Sequence, residues 1–151
     1  MTIKYINKDI TEVNEGCILH GVNCSAAMNS GVAAAIRAKW AKVYKEYLTL
    51  FRNSKFEPNL LGTIQPVRIN EKLVVVNGFT QVRFGNDGKI YADLCAVKQC
   101  IERTMKKFKH YDICIPMIGC GLGGLDWDRD IKKYLVAVSR EQSQNIRVYY
   151  L

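Results

Sequence analysis

The sequence predicts an α/β domain, a mixed β-sheet between two layers of helix. Two patterns carry that expectation. Continuous apolar runs at residues 16–22 and 113–118 read as strands buried on both sides, as parallel strands are. Between such runs lie stretches whose apolar residues recur at helical spacing. Size is the third observation: 151 residues, 48% hydrophobic and 24% charged, fit a single ordinary domain spanning 1–151. A chain of this length buries roughly two-thirds of its unfolded surface, so its core needs no disulfide or metal staples.

Residues 2–6 and 16–22 open the chain as strands, the second almost wholly apolar and therefore central. From 31 to 51 a helix is expected, with Val32, Ile36, Val43, Tyr44, Tyr47 and Phe51 at helical spacing and Arg37, Lys39 and Lys42 on other faces. Residues 53–59, with Pro58, break it. Strands at 62–69 and 72–79 follow, joined by Asn70-Glu71 as a hairpin turn. Gly85, Asn86 and Gly88 make 81–89 a loop. A second helix spans 91–109, with Leu94, Val97, Ile101, Met105 and Phe108 in one stripe. The strand at 113–118 runs straight into a glycine-rich segment. A third helix starts near Asp126 and carries Trp127, Ile131, Leu135 and Val138, and 145–151 closes the chain as a strand.

Composition excludes several classes. No segment approaches the ~20 consecutive apolar residues of a membrane span, and residues 1–10 lack the features of a signal peptide. The six cysteines contain no CxxC spacing and several sit in apolar runs, which points to reduced thiols and a cytoplasmic protein without membrane contact. A net charge of +8 fits a polyanion, a small phosphorylated ligand or solubility alone. Lys98, Arg103, Lys106, Lys107 and Lys109 cluster on the second helix without interleaved aromatics, so nucleic-acid contact is the weaker option.

In open α/β sheets ligands bind beyond the carboxyl ends of the strands. Two loops there have unusual chemistry: residues 23–31 and 119–124. Both are expected to lead into helix N-termini, where free N–H groups and the helix dipole favour a phosphate. Gly119-Cys120-Gly121-Leu122-Gly123-Gly124 has four glycines in six positions, which permits close backbone approach and successive N–H groups around a phosphate. The competing explanation is a turn required by packing. No Gly-Lys-Ser/Thr follows, so this is not a Walker A loop. Asp126-x-Asp128-x-Asp130 lacks the turn glycine and glutamate of a calcium loop, since Ile131 and Ala137 stand there; an N-capped helix explains it better, and no metal or cofactor is expected. Cys120 lacks the arginine of a Cys-x5-Arg phosphatase and reads as structural. His20, at a strand end beside Asn23, is a candidate acid/base, although a lone strand histidine is more often a packed core residue.

With both loops in place the sequence resembles a macrodomain, the α/β module that binds ADP-ribose. The resemblance runs from Lys8-Asp9-Ile10-Thr11 to Val148-Tyr149-Tyr150-Leu151. It is carried by His20-Gly21-Val22-Asn23-Cys24, Met28-Asn29-Ser30-Gly31-Val32-Ala33 and Asn77-Gly78-Phe79-Thr80-Gln81, and most specifically by the segment Ile115-Pro116-Met117-Ile118-Gly119-Cys120-Gly121-Leu122-Gly123-Gly124-Leu125-Asp126-Trp127. Together these resemble the short bacterial and bacteriophage macrodomains described as ADP-ribose 1″-phosphate phosphatases, which implies a three-layer α/β/α sandwich in a bacterial or phage-infected cytoplasm.

The resemblance implies roles residue by residue. Asp9 would accept from the adenine amino group, with the Ile10 backbone near the first phosphate. Asn23 would hold the distal ribose. Ser30, Gly31 and Val32 would pass beside that ribose and the phosphates. Gly119, Cys120, Gly121, Leu122 and Gly123 would hold the diphosphate, and Phe84 would stack near the distal ribose. Two departures stand out. Asn29 occupies a usual glycine position. Gln81 stands where the branch that removes ADP-ribose from protein or DNA carries a lysine, and an amide cannot form that branch's Schiff-base-type intermediate. That branch can also carry an aspartate where Gly123 stands. The implied activity is hydrolysis of ADP-ribose 1″-phosphate to ADP-ribose and phosphate, with Asn23 orienting the substrate and His20 as acid/base. The alternatives are a non-catalytic ADP-ribose reader and an ADP-ribosyl hydrolase acting on modified protein or nucleic acid.

Overall fold

The computed structural model describes residues 2–151. Among the described residues six strands form one sheet in the order β1-β6-β5-β2-β4-β3: β1 Ile3–Asn7, β2 Gly16–Asn23, β3 Ile64–Arg68, β4 Leu73–Gln81, β5 Ile113–Pro116 and β6 Ile146–Tyr150. Every pairing is parallel except β3 with β4, whose antiparallel register sets Ile64 opposite Gly78. The expected mixed sheet is therefore present, with one antiparallel edge strand on an otherwise parallel sheet. The β3–β4 hairpin turns where expected, because Asn70 Oδ1 accepts from the Lys72 and Leu73 amides at 2.8 and 3.0 Å.

The long apolar runs follow from burial on both faces. Along β2, Cys17 and Leu19 belong to one core and Ile18 and Val22 to the other. Likewise Val74 and Val76 face one core and Val75 the other, and Ile113 and Ile115 alternate with Cys114. The first core is closed by α3 Leu94–Lys107 and α4 Lys132–Gln142, through Val97, Ile101, Met105, Leu135 and Val138. The second is closed by α1 Gly31–Lys39 and α2 Ala41–Thr49, through Ile36, Val43 and Tyr47.

Three elements depart from expectation. The helix expected across 31–51 is two helices, divided at Trp40 with φ −127° and ψ 83°. No glycine or proline breaks it. Half-buried Trp40 packs against the core that also takes Ile36, Val43 and Tyr47, so tertiary packing sets the break. The helix expected from 91 begins at Leu94, because the Tyr91 and Ala92 amides both donate to Gly123 O at 2.9 Å and Asp93 caps the Ala96 amide at 2.9 Å. The third helix starts with a π turn over Trp127–Ile131, capped by Asp126 on the Arg129 amide. Among the described residues no helix is long and apolar enough to cross a membrane.

Candidate functional site

Because β1, β6, β5, β2 and β4 are mutually parallel, their carboxyl ends share one edge of the sheet. The segments leaving that edge include Asp9–Ile10 after β1, residues 24–30 after β2, 82–90 after β4 and 117–124 after β5. They are tied together. Cys24 N donates to Gln81 O at 3.0 Å, Ser25 Oγ to Val82 O at 2.6 Å, and the far end of the 82–90 loop meets Gly123 O through Tyr91 and Ala92. The topology thus gathers the residues singled out from sequence, except that His20 lies inside the sheet.

The glycine-rich loop combines both explanations offered for it. A Cβ on Gly123 would lie 2.6 Å from Gly119 O, and Gly119 and Gly124 have φ of +78° and +85°, so packing and backbone conformation require these three. Gly121 is different: it is exposed, has no left-handed φ, and a Cβ there would meet nothing within 4 Å. Among the described residues, the N–H groups of Gly119, Gly121, Leu122 and Gly123 have no internal hydrogen-bond partner, whereas those of Cys120, Gly124 and Leu125 bond to Met117, Gly121 and Gly119 carbonyls. Uncommitted amides of this kind are donors for an anion.

The two expected helix N-termini fare differently. Ser30 stands at the N-cap of α1 with its hydroxyl making no cap bond, which leaves the first amides of the helix, from Gly31 and Val32, open at the edge of the 24–30 loop. The 119–124 loop does not reach a free helix N-terminus. Asp126 caps that turn, and Asp130 accepts from Asp126 N at 2.8 Å while pairing with Arg129 at 2.9 Å. Asp126 and Asp130 thus form a capping network, while exposed Asp128 lies 4.0 Å from Lys132. Among the described residues no group of three or more His, Cys, Asp or Glu side chains is placed to hold a metal.

Asp9 caps the turn Ile10–Glu12, its Oδ1 accepting from Thr11 N at 2.9 Å and Thr11 Oγ1 at 2.8 Å, and these bonds hold its carboxyl below the ordinary range. Ile10 is buried in the α1/α2 core. Asn23 is nearly buried and its amide is turned inward. Nδ2 donates to Ala27 O at 2.9 Å, and Oδ1 accepts from Ser25 N at 3.0 Å and lies 2.8 Å from Tyr47 Oη. Asn29 Oδ1 accepts from Arg37 at 3.2 Å, on a shallow cavity of about 380 Å³ lined by Met28, Asn29, Ala34, Arg37 and Ala38. Phe84 is exposed in the 82–90 loop. Gln81 lies opposite Asn23 in the β2–β4 register and donates to Arg83 O at 2.8 Å.

His20 requires a correction. It is 0% exposed, and its Nε2 lies 2.6 Å from Asn77 Oδ1. Asn77 Nδ2 donates to Gln65 Oε1 at 3.1 Å, and Gln65 donates to Glu46 O at 2.9 Å. This relay crosses from the sheet to α2 and puts the proton on Nε2, with Nδ1 buried and unpartnered. Burial lowers the imidazole pKa to about 4, so the ring is neutral at pH 7, and it does not reach the surface. The acid/base role does not fit this placement. Cys120 is half-buried, with burial and Asp130 and Asp126 raising its thiol to about 11, which suits a structural residue. On α3, Lys106 pairs with Glu102, Arg103 binds Gly62 O and Lys98 lies over Tyr134, so part of the basic cluster is engaged internally.

Tyr47 is the residue that sequence reading passed over. It stands among the apolar positions at helical spacing, where nothing marks its hydroxyl. The available signal is chemical: a buried tyrosine hydroxyl needs a partner, and here it finds the site loop.

Comparison with known proteins agrees with this architecture. The chain is similar to the DNA ADP-ribosyl glycohydrolase of Mycobacterium tuberculosis, 19% identical over 140 residues, which cover 92% of this chain and 39% of that protein. It therefore spans about two-fifths of the length of the curated relatives it matches. Its fold is similar to the macrodomain of M. tuberculosis DarG, with a TM-score of 0.81 at 18% identity, covering 99% of this chain and 98% of that one. It is likewise similar to a Trypanosoma brucei macrodomain solved with ADP-ribose, with a TM-score of 0.69 at 13% identity, covering 99% of this chain and 64% of that one. The family model described as Macro domain matches residues 19–133, which is most of the chain including both loops, and the protein belongs to that family.

Proposed function

We propose that this macrodomain binds ADP-ribose at the carboxyl edge of its parallel strands and hydrolyses ADP-ribose 1″-phosphate to ADP-ribose and phosphate. The observation that carries the binding is the run of uncommitted amides at Gly119, Gly121, Leu122 and Gly123 beside the open surface of Gly121. A diphosphate is the ligand such a run suits, because its several oxygens can accept from successive backbone N–H groups. Asp9 supplies a carboxylate for the adenine end. Ser30, Gly31 and Val32 supply amides toward the distal ribose, and Phe84 an exposed aromatic face.

For the reaction, a positioned water attacks phosphorus and gives up a proton to solvent, while the bond to the 1″ oxygen breaks and that oxygen takes a proton from solvent. Backbone donors stabilise the charge that develops on the phosphoryl oxygens. His20 has no part in this. Asn23 acts by shaping the loop beside the distal ribose.

A second reading, removal of ADP-ribose from nucleic acid, is favoured by the activity named for the mycobacterial relatives. Against a lysine-dependent version stands Gln81, a neutral amide already bonded to Arg83 O. Lys89, in the same loop, is exposed and 3.8 Å from Asp87.

One set of assays decides. Calorimetry with ADP-ribose measures binding, inorganic phosphate is followed during incubation with ADP-ribose 1″-phosphate, and labelled ADP-ribose is followed during incubation with modified DNA. Binding with phosphate release supports the first reading. Release of label from DNA without phosphate release selects the second, and binding without either makes the protein a reader. Absence of ADP-ribose binding overturns all three.

A further inference from the structure

The 24–30 loop is anchored by buried Cys24 and Met28, but between them it holds an unfavourable backbone. Ala26 has φ +58°, a left-handed conformation that costs an L-residue energy unless its surroundings enforce it. The enforcement comes from the Tyr47 hydroxyl and the Asn23 side chain, which share the Ala27 amide at 3.1 and 3.4 Å. Tyr47 Oη, from α2, lies 2.8 Å from Asn23 O, 2.8 Å from Asn23 Oδ1 and accepts from Ala27 N at 3.1 Å. It therefore clamps the strand end on one side of Ala26 and the return on the other. The ring is completely buried, stacked on Phe79 at 5.9 Å and tilted against Phe51 at 4.9 Å, so the hydroxyl has little freedom to turn elsewhere. Asn23 completes the clamp through Ser25 N and Ala27 O.

We propose that Tyr47 is a positioning residue that fixes the 24–30 loop and thereby makes the site select ADP-ribose over ADP. The proposal rests on the binding mode above, in which this loop meets the distal ribose and Asp9 the adenine. ADP has no distal ribose, so distorting the loop should weaken ADP-ribose and leave ADP alone. A tyrosine that served only the core would affect both equally.

Tyr47→Phe tests this, since it keeps the stacked ring and removes one oxygen. In the ligand-free protein, amide hydrogen exchange at Ser25 and Ala27 is expected to rise about tenfold while Ile18 and Leu19 in β2 keep their wild-type rates. The dissociation constant for ADP-ribose is expected to rise about tenfold, with that for ADP constant within about twofold. Adding Ala26→Gly removes the left-handed penalty and should recover part of the lost ADP-ribose affinity. Wild-type exchange at Ser25 and Ala27 in the variant overturns the clamp, and proportionate weakening of both nucleotides overturns the selectivity. If the wild-type protein binds neither nucleotide, the functional reading fails, while the exchange comparison still decides whether Tyr47 holds the loop.

Discussion

At the scale of single residues, glycines that look alike in sequence separate by what surrounds them. Gly123 is required by backbone: Gly123→Ala would press a methyl against Gly119 O and is expected to destabilise by about 1–3 kcal/mol in urea melts. Gly121→Ala should leave the melting temperature unchanged, because the added methyl meets no protein atom. Its effect should appear on ligand affinity, with a loss of tenfold or more in ADP-ribose calorimetry. Equal affinity in wild type and Gly121→Ala would remove Gly121 from the binding surface. The same division explains why the site was only partly legible. Four glycines in six positions announced a special loop, but sequence could not say which served packing. His20 and Tyr47 were harder still, since a strand-end histidine and a helical-stripe tyrosine acquire their roles from partners 57 and 24 residues away.

At the scale of elements, strands were legible because burial on both faces removes nearly every polar residue from them, as in β4, where Leu73 through Thr80 are all buried. Helix boundaries were less so. The start of α3 is set by Asp93, whose own amide donates to Thr80 O at 2.8 Å while its side chain caps Ala96. The cap therefore joins the helix to the end of β4, just before the loop that reaches Gly123. Asp93→Ala is expected to cost about 1 kcal/mol of stability, a cap's ordinary worth. Exchange at the Tyr91 and Ala92 amides should also accelerate, because their bonds to Gly123 O lie immediately before the frayed turn. A loss of stability with unchanged exchange at those two amides would show that α3 and the glycine loop are independent. The Trp40 break had no such local marker: Arg37-Ala-Lys-Trp-Ala-Lys42 contains good helix formers except for Trp40, which is only middling, and the shared core of α1 and α2 divides it.

At the scale of the whole molecule, acid sensitivity follows from the sheet interior more than from the net charge of +8. His20 is held neutral, its pKa lowered from 6.5 to about 4, with burial as the main cause and the bond to Asn77 opposing it. The unfolded chain therefore binds a proton between pH 6.5 and 4 that the folded chain refuses. Stability from this group is complete above pH 6.5 and falls as the pH drops toward 4. A shift of this size corresponds to about 3 kcal/mol between pH 7 and pH 4. Asp9 acts in the same direction, since its carboxylate is stabilised by Thr11 and is lost as it protonates, but it lies near the surface and contributes little. Urea unfolding at pH 7, 5.5 and 4 should show this slope in the wild-type protein. In His20→Gln the amide can still donate to Asn77 Oδ1 without titrating, so the slope between pH 6.5 and 4 should shrink by about the same 3 kcal/mol. Identical slopes in the two proteins would mean that the imidazole protonates in the folded state as readily as in water, which a fully buried ring bonded through Asn77 and Gln65 to Glu46 O does not allow.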